Sequence, residues 1–202
     1  VFAAAAAAAP RIAAMLLTDE FVVHDGYLDA EETRMLADCA RRRHDRGEFS
    51  PARIGPAGGA QQREDLRGDA TCWLAPPLVE AEAGLLSALE ALRLALNRDG
   101  LLGLFDLEMH YSRYSCGARY ARHVDQPRGR GQRRVSVVLY LNADWPASAG
   151  GALRVFDPAS AHRDILPIGG RLVCFFSAGR EHAVQPARRL RLALSGWYRT
   201  RD

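Results

Sequence analysis

Phe105-Asp106-Leu107-Glu108-Met109-His110-Tyr111 alternates apolar and polar side chains at a period of two. That is the pattern of a strand with one buried face. Gly103 marks a change of regime. After it, further strand-like runs at 135–141, 152–156, 172–177 and 190–198 are separated by turn clusters, Pro127-Arg128-Gly129, Ser148-Ala149-Gly150-Gly151 and Pro167-Ile168-Gly169-Gly170. Before it, the periodicity is helical. Phe21-Val22-Val23 reads as a short strand closed by Asp25-Gly26, and Asp29 with Glu32 forms a capping box for a helix buried through Met35, Leu36, Cys39 and Ala40. The Arg41, Arg42 and Arg43 cluster then suits the negative carboxyl end of that helix. A second helix is expected from Pro77 to about Asn97, with Leu85, Leu86, Leu89, Leu92 and Leu96 as its buried stripe and Gly100 as its end. Two helices followed by many short strands predict an α+β, mainly β fold: a jelly-roll (double-stranded β-helix) core with N-terminal helices packed on one sheet.

Composition narrows the function classes. The chain has 202 residues, 48% hydrophobic and 25% charged, which is ordinary globular usage. No apolar run is long enough to cross a membrane. Every one of the 27 basic residues is arginine, so no Schiff-base or phosphate-loop lysine exists, and the net charge of +3 is spread out, against a nucleic-acid partner. Cys39, Cys72, Cys116 and Cys174 contain no CxxC pair, so reduced thiols of a cytoplasmic protein are expected rather than a zinc knuckle. The alanine run from Ala3 to Ala9 lacks a basic start and is followed by Arg11, unlike a signal peptide. Residues 1–20 are read as a low-complexity arm and 21–202 as a single domain. The Gly- and Pro-rich stretch 49–62 has no periodicity and reads as a lid or binding loop.

His123-Val124-Asp125 carries the chemistry. On extended backbone, residues i and i+2 point to the same side, so an imidazole and a carboxylate converge. His182, just after the strand at 172–177, is the best third ligand. Two histidines and a carboxylate on one face leave open positions on a metal, as non-heme Fe(II) oxygenases require. Alone, the pair also reads as a hydrogen-bonded loop histidine and a turn acid.

The surroundings add Tyr114, Gly117 and Tyr120 before the pair, and Tyr140-Leu141-Asn142, Trp145 and Gly150-Gly151 after it. His182-Ala183-Val184-Gln185-Pro186 follows, with Arg191 nine residues beyond His182. With Arg67-Gly68-Asp69 and Trp73, these motifs make residues 21–198 resemble the 2-oxoglutarate- and Fe(II)-dependent oxygenases. The likeness is to the prolyl 4-hydroxylase group, and within it to the oxygen-sensing prolyl hydroxylases acting on hypoxia-inducible factor. The resemblance implies that His123, Asp125 and His182 hold Fe(II), and that 2-oxoglutarate chelates the metal with its far carboxylate on Arg191. It implies further that Tyr140 bonds that carboxylate, that Ser195 serves there in place of a threonine, and that Tyr114 lines the pocket. Hydroxylation of a prolyl residue in a protein or peptide by O2 is then expected, with release of succinate and CO2 and with ascorbate as reductant. An arginine at or near Arg133 or Arg134 would contact substrate under the lid, where Gly55, Gly58 and Gly59 are candidate hinges. A small-molecule or nucleic-acid hydroxylase, or a non-catalytic binding module, are the competing readings. Tyr120 and Trp145 are expected in the core. Trp197 and His110 are left open between pocket wall and packing.

Overall fold

The computed structural model describes residues 1–53, 61–63, 65–126, 131–157 and 161–201. The hinge glycines Gly55, Gly58 and Gly59 and the turn Pro127-Arg128-Gly129 lie outside the described residues. In chain order the elements are α1 (Ala3–Ala7), α2 (Ala9–Asp19), β1 (Phe21–His24), α3 (Ala30–Asp45), β2 (Ser50–Pro51), β3 (Asp69–Trp73), α4 (Glu80–Gly100), β4 (Leu104–Tyr114), β5 (Tyr120–His123), β6 (Arg133–Tyr140), β7 (Leu153–Phe156), β8 (His162–Ile165), β9 (Leu172–Phe176), β10 (His182–Val184) and β11 (Arg191–Thr200). The strands form a seven-stranded sheet in the order β1-β9-β6-β11-β4-β3-β2 and a four-stranded sheet in the order β5-β10-β7-β8. Every pairing is antiparallel. This is the jelly-roll core expected from the alternation.

Strand parity separates two cores. Met109, Tyr111, Val135, Val137, Leu139, Cys174, Leu194 and Tyr198 pack under the helices. Their alternates Tyr114, Tyr140, Val173, Phe175 and Ala193 pack between the sheets with Leu153, Val155, Ile165 and Val184. The helices therefore cover one face of the large sheet and leave the other to face the small sheet. On α4, Leu85, Leu89, Leu92 and Leu96 are fully buried, and the Tyr198 hydroxyl donates to the Leu89 carbonyl at 2.6 Å. The capping box of α3 is present, with Glu32 N–H donating to Asp29 at 2.8 Å. Residue 80 rather than Pro77 starts α4, because Val79 is extended and its N–H donates to Glu82.

The N-terminal segment differs from its reading as an arm. α1 and α2 pack on α4 and bury Phe2, Ala5, Ile12, Ala13 and Leu16 in the main core. Two helical glycines make room for it. A Cβ at Gly84 would lie 2.8 Å from the Phe2 ring, and one at Gly100 would lie 2.5 Å from Leu17. The alanine run hides this role from composition, because small side chains give little hydrophobic signal yet permit close helix approach. Among the strands, the short β2, β3, β5, β8 and β10 carry too few residues for their alternation to stand out from loop sequence.

Candidate active site

Two short strands of the small sheet bring the ligand candidates together. β10 pairs with β5 so that His182 lies directly opposite His123, with ring centroids 4.2 Å apart. Asp125 follows just past the end of β5. Its two oxygens lie 3.5 Å from His123 Nε2 and 3.6 Å from His182 Nε2. The ligand atoms of the three residues all fall within 4.8 Å of one another.

The donor set fits a metal ion. His123 Nδ1 lies 2.8 Å from the Ala121 carbonyl and His182 Nδ1 lies 3.0 Å from the Arg180 carbonyl. A carbonyl only accepts, so each Nδ1 carries the proton and each Nε2 turns a lone pair toward Asp125. Burial opposes ionisation of Asp125, whereas the hydrogen bond from the Ser136 hydroxyl favours it. Burial also lowers the pKa of His182, so a neutral, ligating imidazole is favoured. Ser136 Oγ donates to Asp125 Oδ2 at 2.7 Å and lies 2.8 Å from Ser177 Oγ.

The imidazoles are clamped by aromatic rings. Tyr120 stacks on His123 at 3.6 Å and Phe175 meets His182 edge-on at 5.0 Å. The Arg67 guanidinium lies 4.7 Å from the Tyr120 ring centroid and is forked onto Asp69 at 2.7 and 3.0 Å. Tyr120 is thus part of the site wall rather than core alone. Trp145 packs with Ala149 and Ala187 in a satellite cluster, as expected of a packing residue.

A second polar group sits deeper. Arg191 is 2% exposed, and no carboxylate among the described residues lies within ion-pair distance of it. Its Nε donates to the Gly151 carbonyl at 2.9 Å, and its guanidinium lies 5.0 and 5.1 Å from the Tyr114 and Tyr140 rings. The Tyr140 hydroxyl is buried without a hydrogen-bond partner. Burial raises its pKa, opposed by the neighbouring Arg191 charge. An uncompensated buried cation beside an orphan hydroxyl donor is costly unless an anion completes it. A carboxylate has the charge and acceptor atoms that would complete such a pair.

Register arranges the floor. Arg191 is paired with Tyr114, Ala193 with Tyr140, Ser195 with His110 and Val138, and Trp197 with Ser136. The Arg191 end and the Asp125 end of the cavity are thus joined by one stretch of β11, and Ser195 lies between them, four residues from Arg191. Trp197 is 7% exposed and stands in the wall, with Arg133 stacked on it at 3.6 Å and Trp73 at 6.4 Å. The sequence reading named Gly151, Arg67 and Tyr120 as motif residues but not Ser136, nor the contact between Arg67 and Tyr120. Ser136 shares strand parity with Tyr140, which is the signal that could have found it.

A double-stranded β-helix that brings two histidines and a carboxylate together at its small sheet, with a buried, unneutralised arginine on the large sheet, has the architecture of a non-heme metal oxygenase. Comparison with known proteins agrees. Residues 109–199 match the 2OG-Fe(II) oxygenase superfamily model. Human Egl nine homolog 1 is 35% identical over 186 residues, covering 87% of this chain and 43% of that protein. Human prolyl hydroxylase EGLN3 is 35% identical over 187 residues, covering 85% of this chain and 77% of that one. A Pseudomonas putida prolyl-4-hydroxylase structure superposes with a TM-score of 0.87 at 40% identity, covering 96% of this chain and all of that one. A Trichoplax adhaerens prolyl hydroxylase in complex with a hypoxia-inducible-factor peptide gives 0.85 at 26%, covering 96% and 90%. The chain belongs to the 2-oxoglutarate- and Fe(II)-dependent oxygenase superfamily, in its prolyl hydroxylase branch. It spans about half the length of the Egl nine homolog 1 proteins that it matches.

Proposed function

We propose that this chain is a 2-oxoglutarate-dependent dioxygenase that hydroxylates a prolyl residue in a protein or peptide. The observation that carries the reading is the pairing of the His123–Asp125–His182 triad with the buried, unneutralised Arg191. His123, Asp125 and His182 would hold Fe(II), and Arg191 with Tyr140 would hold the far carboxylate of 2-oxoglutarate. When bound, the metal and co-substrate supply the oxidation of a C–H bond by O2, with succinate and CO2 as by-products. The chain's own residues bind, orient and exclude water. Arg191 fixes the co-substrate's orientation through its planar fork. The Tyr120 and Phe175 rings fix the planes of the two ligand imidazoles. No protein nucleophile or general acid is needed.

Likeness to human prolyl hydroxylase EGLN3 and to the Pseudomonas putida prolyl-4-hydroxylase supports a prolyl substrate. Trp73, half exposed, and the Trp197–Arg133 stack form an aromatic, cationic rim where a peptide could lie beside the triad. Ascorbate as the reductant and a cytoplasmic location belong to the same proposal, supported by four cysteines that are all free. Among the described residues no helix is long and apolar enough to cross a membrane.

Purified chain with Fe(II), 2-oxoglutarate, ascorbate and O2 is expected to form succinate, and His123→Ala and Asp125→Ala to abolish it. Arg191→Ala should chiefly raise the 2-oxoglutarate requirement. Unchanged succinate formation in the ligand variants would overturn the assignment. Mass spectrometry of proteins incubated with the chain should show a gain of one oxygen on proline, and its appearance only on free small molecules or nucleic acid would overturn the substrate class.

A further inference from the structure

A buried chain of polar groups runs behind the cavity and is not used by the chemistry above. His110 is 1% exposed and Ser112 is 2% exposed. His110 Nδ1 lies 3.1 Å from the Tyr111 carbonyl and 3.2 Å from Ser112 Oγ. Ser112 Oγ in turn donates to Ser195 Oγ at 3.3 Å. The direction of this chain follows from elementary donor and acceptor rules. The Tyr111 carbonyl can only accept, so His110 Nδ1 bears its proton and shares it between that carbonyl and Ser112 Oγ in a three-centre bond. A protonated Nδ1 cannot accept from Ser112, so the Ser112 proton goes to Ser195. Ser195 Oγ already accepts there, and its own proton is left to point elsewhere. Ser195 is half-buried on the cavity floor, between the Arg191 end and the Ser136–Asp125 end.

We propose that His110 is a positioning residue that polarises the His110–Ser112–Ser195 chain, so that Ser195 donates its hydroxyl proton to the anionic co-substrate lying between Arg191 and the triad. This inference rests on the proposed function. It also relocates Ser195. Four residues of strand separate it from Arg191, about 13 Å along the backbone, so it serves the metal-side portion of the keto-diacid rather than sharing the far carboxylate with Arg191 and Tyr140. Burial, aided by the Arg67 charge, lowers the His110 pKa to about 4. The imidazole is therefore neutral. Trp73 and Trp197 pack against it at 4.7 and 5.6 Å and hold the ring in place.

The test is calorimetric titration of 2-oxoglutarate into the Mn(II)-loaded chain without O2, which reads binding and not turnover. Ser195→Ala should weaken binding about tenfold, the loss expected for one hydrogen bond to a charged acceptor. His110→Gln places its amide at the Nε2 position and removes the Nδ1 donor, so it should cost a similar factor. His110→Asn places an amide nitrogen where Nδ1 stood and should restore binding to within about twofold of wild type. The double variant Ser195→Ala, His110→Gln should bind no worse than Ser195→Ala, because His110 acts only through Ser195. Ser112→Ala removes the middle link and gives the same loss should a His110 variant fail to fold. A full additional loss from His110→Gln in the Ser195→Ala background would mark a packing role and overturn the proposal, as would wild-type binding by His110→Gln. Absence of 2-oxoglutarate binding by the wild-type chain, or indifference to Arg191→Gln, would overturn the proposed function itself.

Discussion

Asp125 accepts from the Ser136 hydroxyl on one side and meets two imidazole Nε2 lone pairs on the other, so a cation shared by the three residues would stabilise its charge. Ser136 fixes the carboxylate that would help to hold the metal. Ser136→Ala is expected to weaken divalent-metal binding about tenfold, as loss of such supporting contacts does, with the unfolding midpoint of the metal-free chain little changed. Calorimetric titration with Mn(II) or Fe(II) checks this. Gly151 governs the other end of the cavity. Its φ is +71°, and a Cβ there would lie 2.9 Å from Ala187, 3.1 Å from Trp145 and 3.4 Å from Arg191. Gly151→Ala should therefore displace the carbonyl that seats Arg191 and raise the 2-oxoglutarate KM at least several-fold while leaving metal affinity intact. A KM unchanged from wild type would contradict that role.

At the scale of elements, α4 is the backbone of the helical layer. Its Glu82 side chain is fully buried and accepts from Arg43 at 2.7 and 2.8 Å, from the Val79 N–H at 3.3 Å and from the Tyr111 hydroxyl at 3.2 Å. One carboxylate thus ties α3, the start of α4 and β4 together. Burial penalises its charge, but the Arg43 fork and the other donors outweigh burial and lower its pKa below 4.5. Stability from this group is fully present above about pH 4.5 and is lost as pH falls through the lower, folded-state value. Glu82→Gln is expected to flatten that acid limb in urea unfolding between pH 3 and 7. Glu82→Ala should cost about 3 kcal/mol at neutral pH, because it removes the forked partner of a mostly buried arginine and leaves it only Glu48. The N-terminal helices make a separate prediction. Leu16 is fully buried in the main core, so Leu16→Ala should lower unfolding free energy by about 2–4 kcal/mol. An effect below about 0.5 kcal/mol would mean that α2 is dispensable.

For the whole molecule, His123 and His182 stand on the small sheet and Arg191 and Tyr140 on the large one. A metal and an anion bound together would bridge the sheets. Ligands that bind only the folded chain stabilise it by mass action, about 2.7 kcal/mol at a hundred times Kd. Mn(II) with 2-oxoglutarate is thus expected to raise the melting temperature by several degrees, and a chelator to reverse it. His123→Ala should abolish the shift, whereas Arg191→Gln should remove only the part due to 2-oxoglutarate.

Strand parity and ligand spacing are local properties, and the sequence by itself determined them. The alternation at 105–111 separates a helix-facing row from a row facing the small sheet, and His123-x-Asp125 keeps an imidazole and a carboxylate close along the chain even though β5 ends at His123. The motif run to Arg191 carried the family resemblance for the same reason, since residue identity at fixed spacing needs no third dimension to be read. Tertiary structure alone decided what meets across strands distant in sequence. Ser136 reaches Asp125, His110 connects through Ser112 to Ser195, and Gly84 admits Phe2, because antiparallel register and helix packing bring together residues whose separation along the chain carries no signal. The alanine-rich start shows the same limit. Its small side chains have weak hydrophobic periodicity, and only the matching glycines on α4 turn it into core.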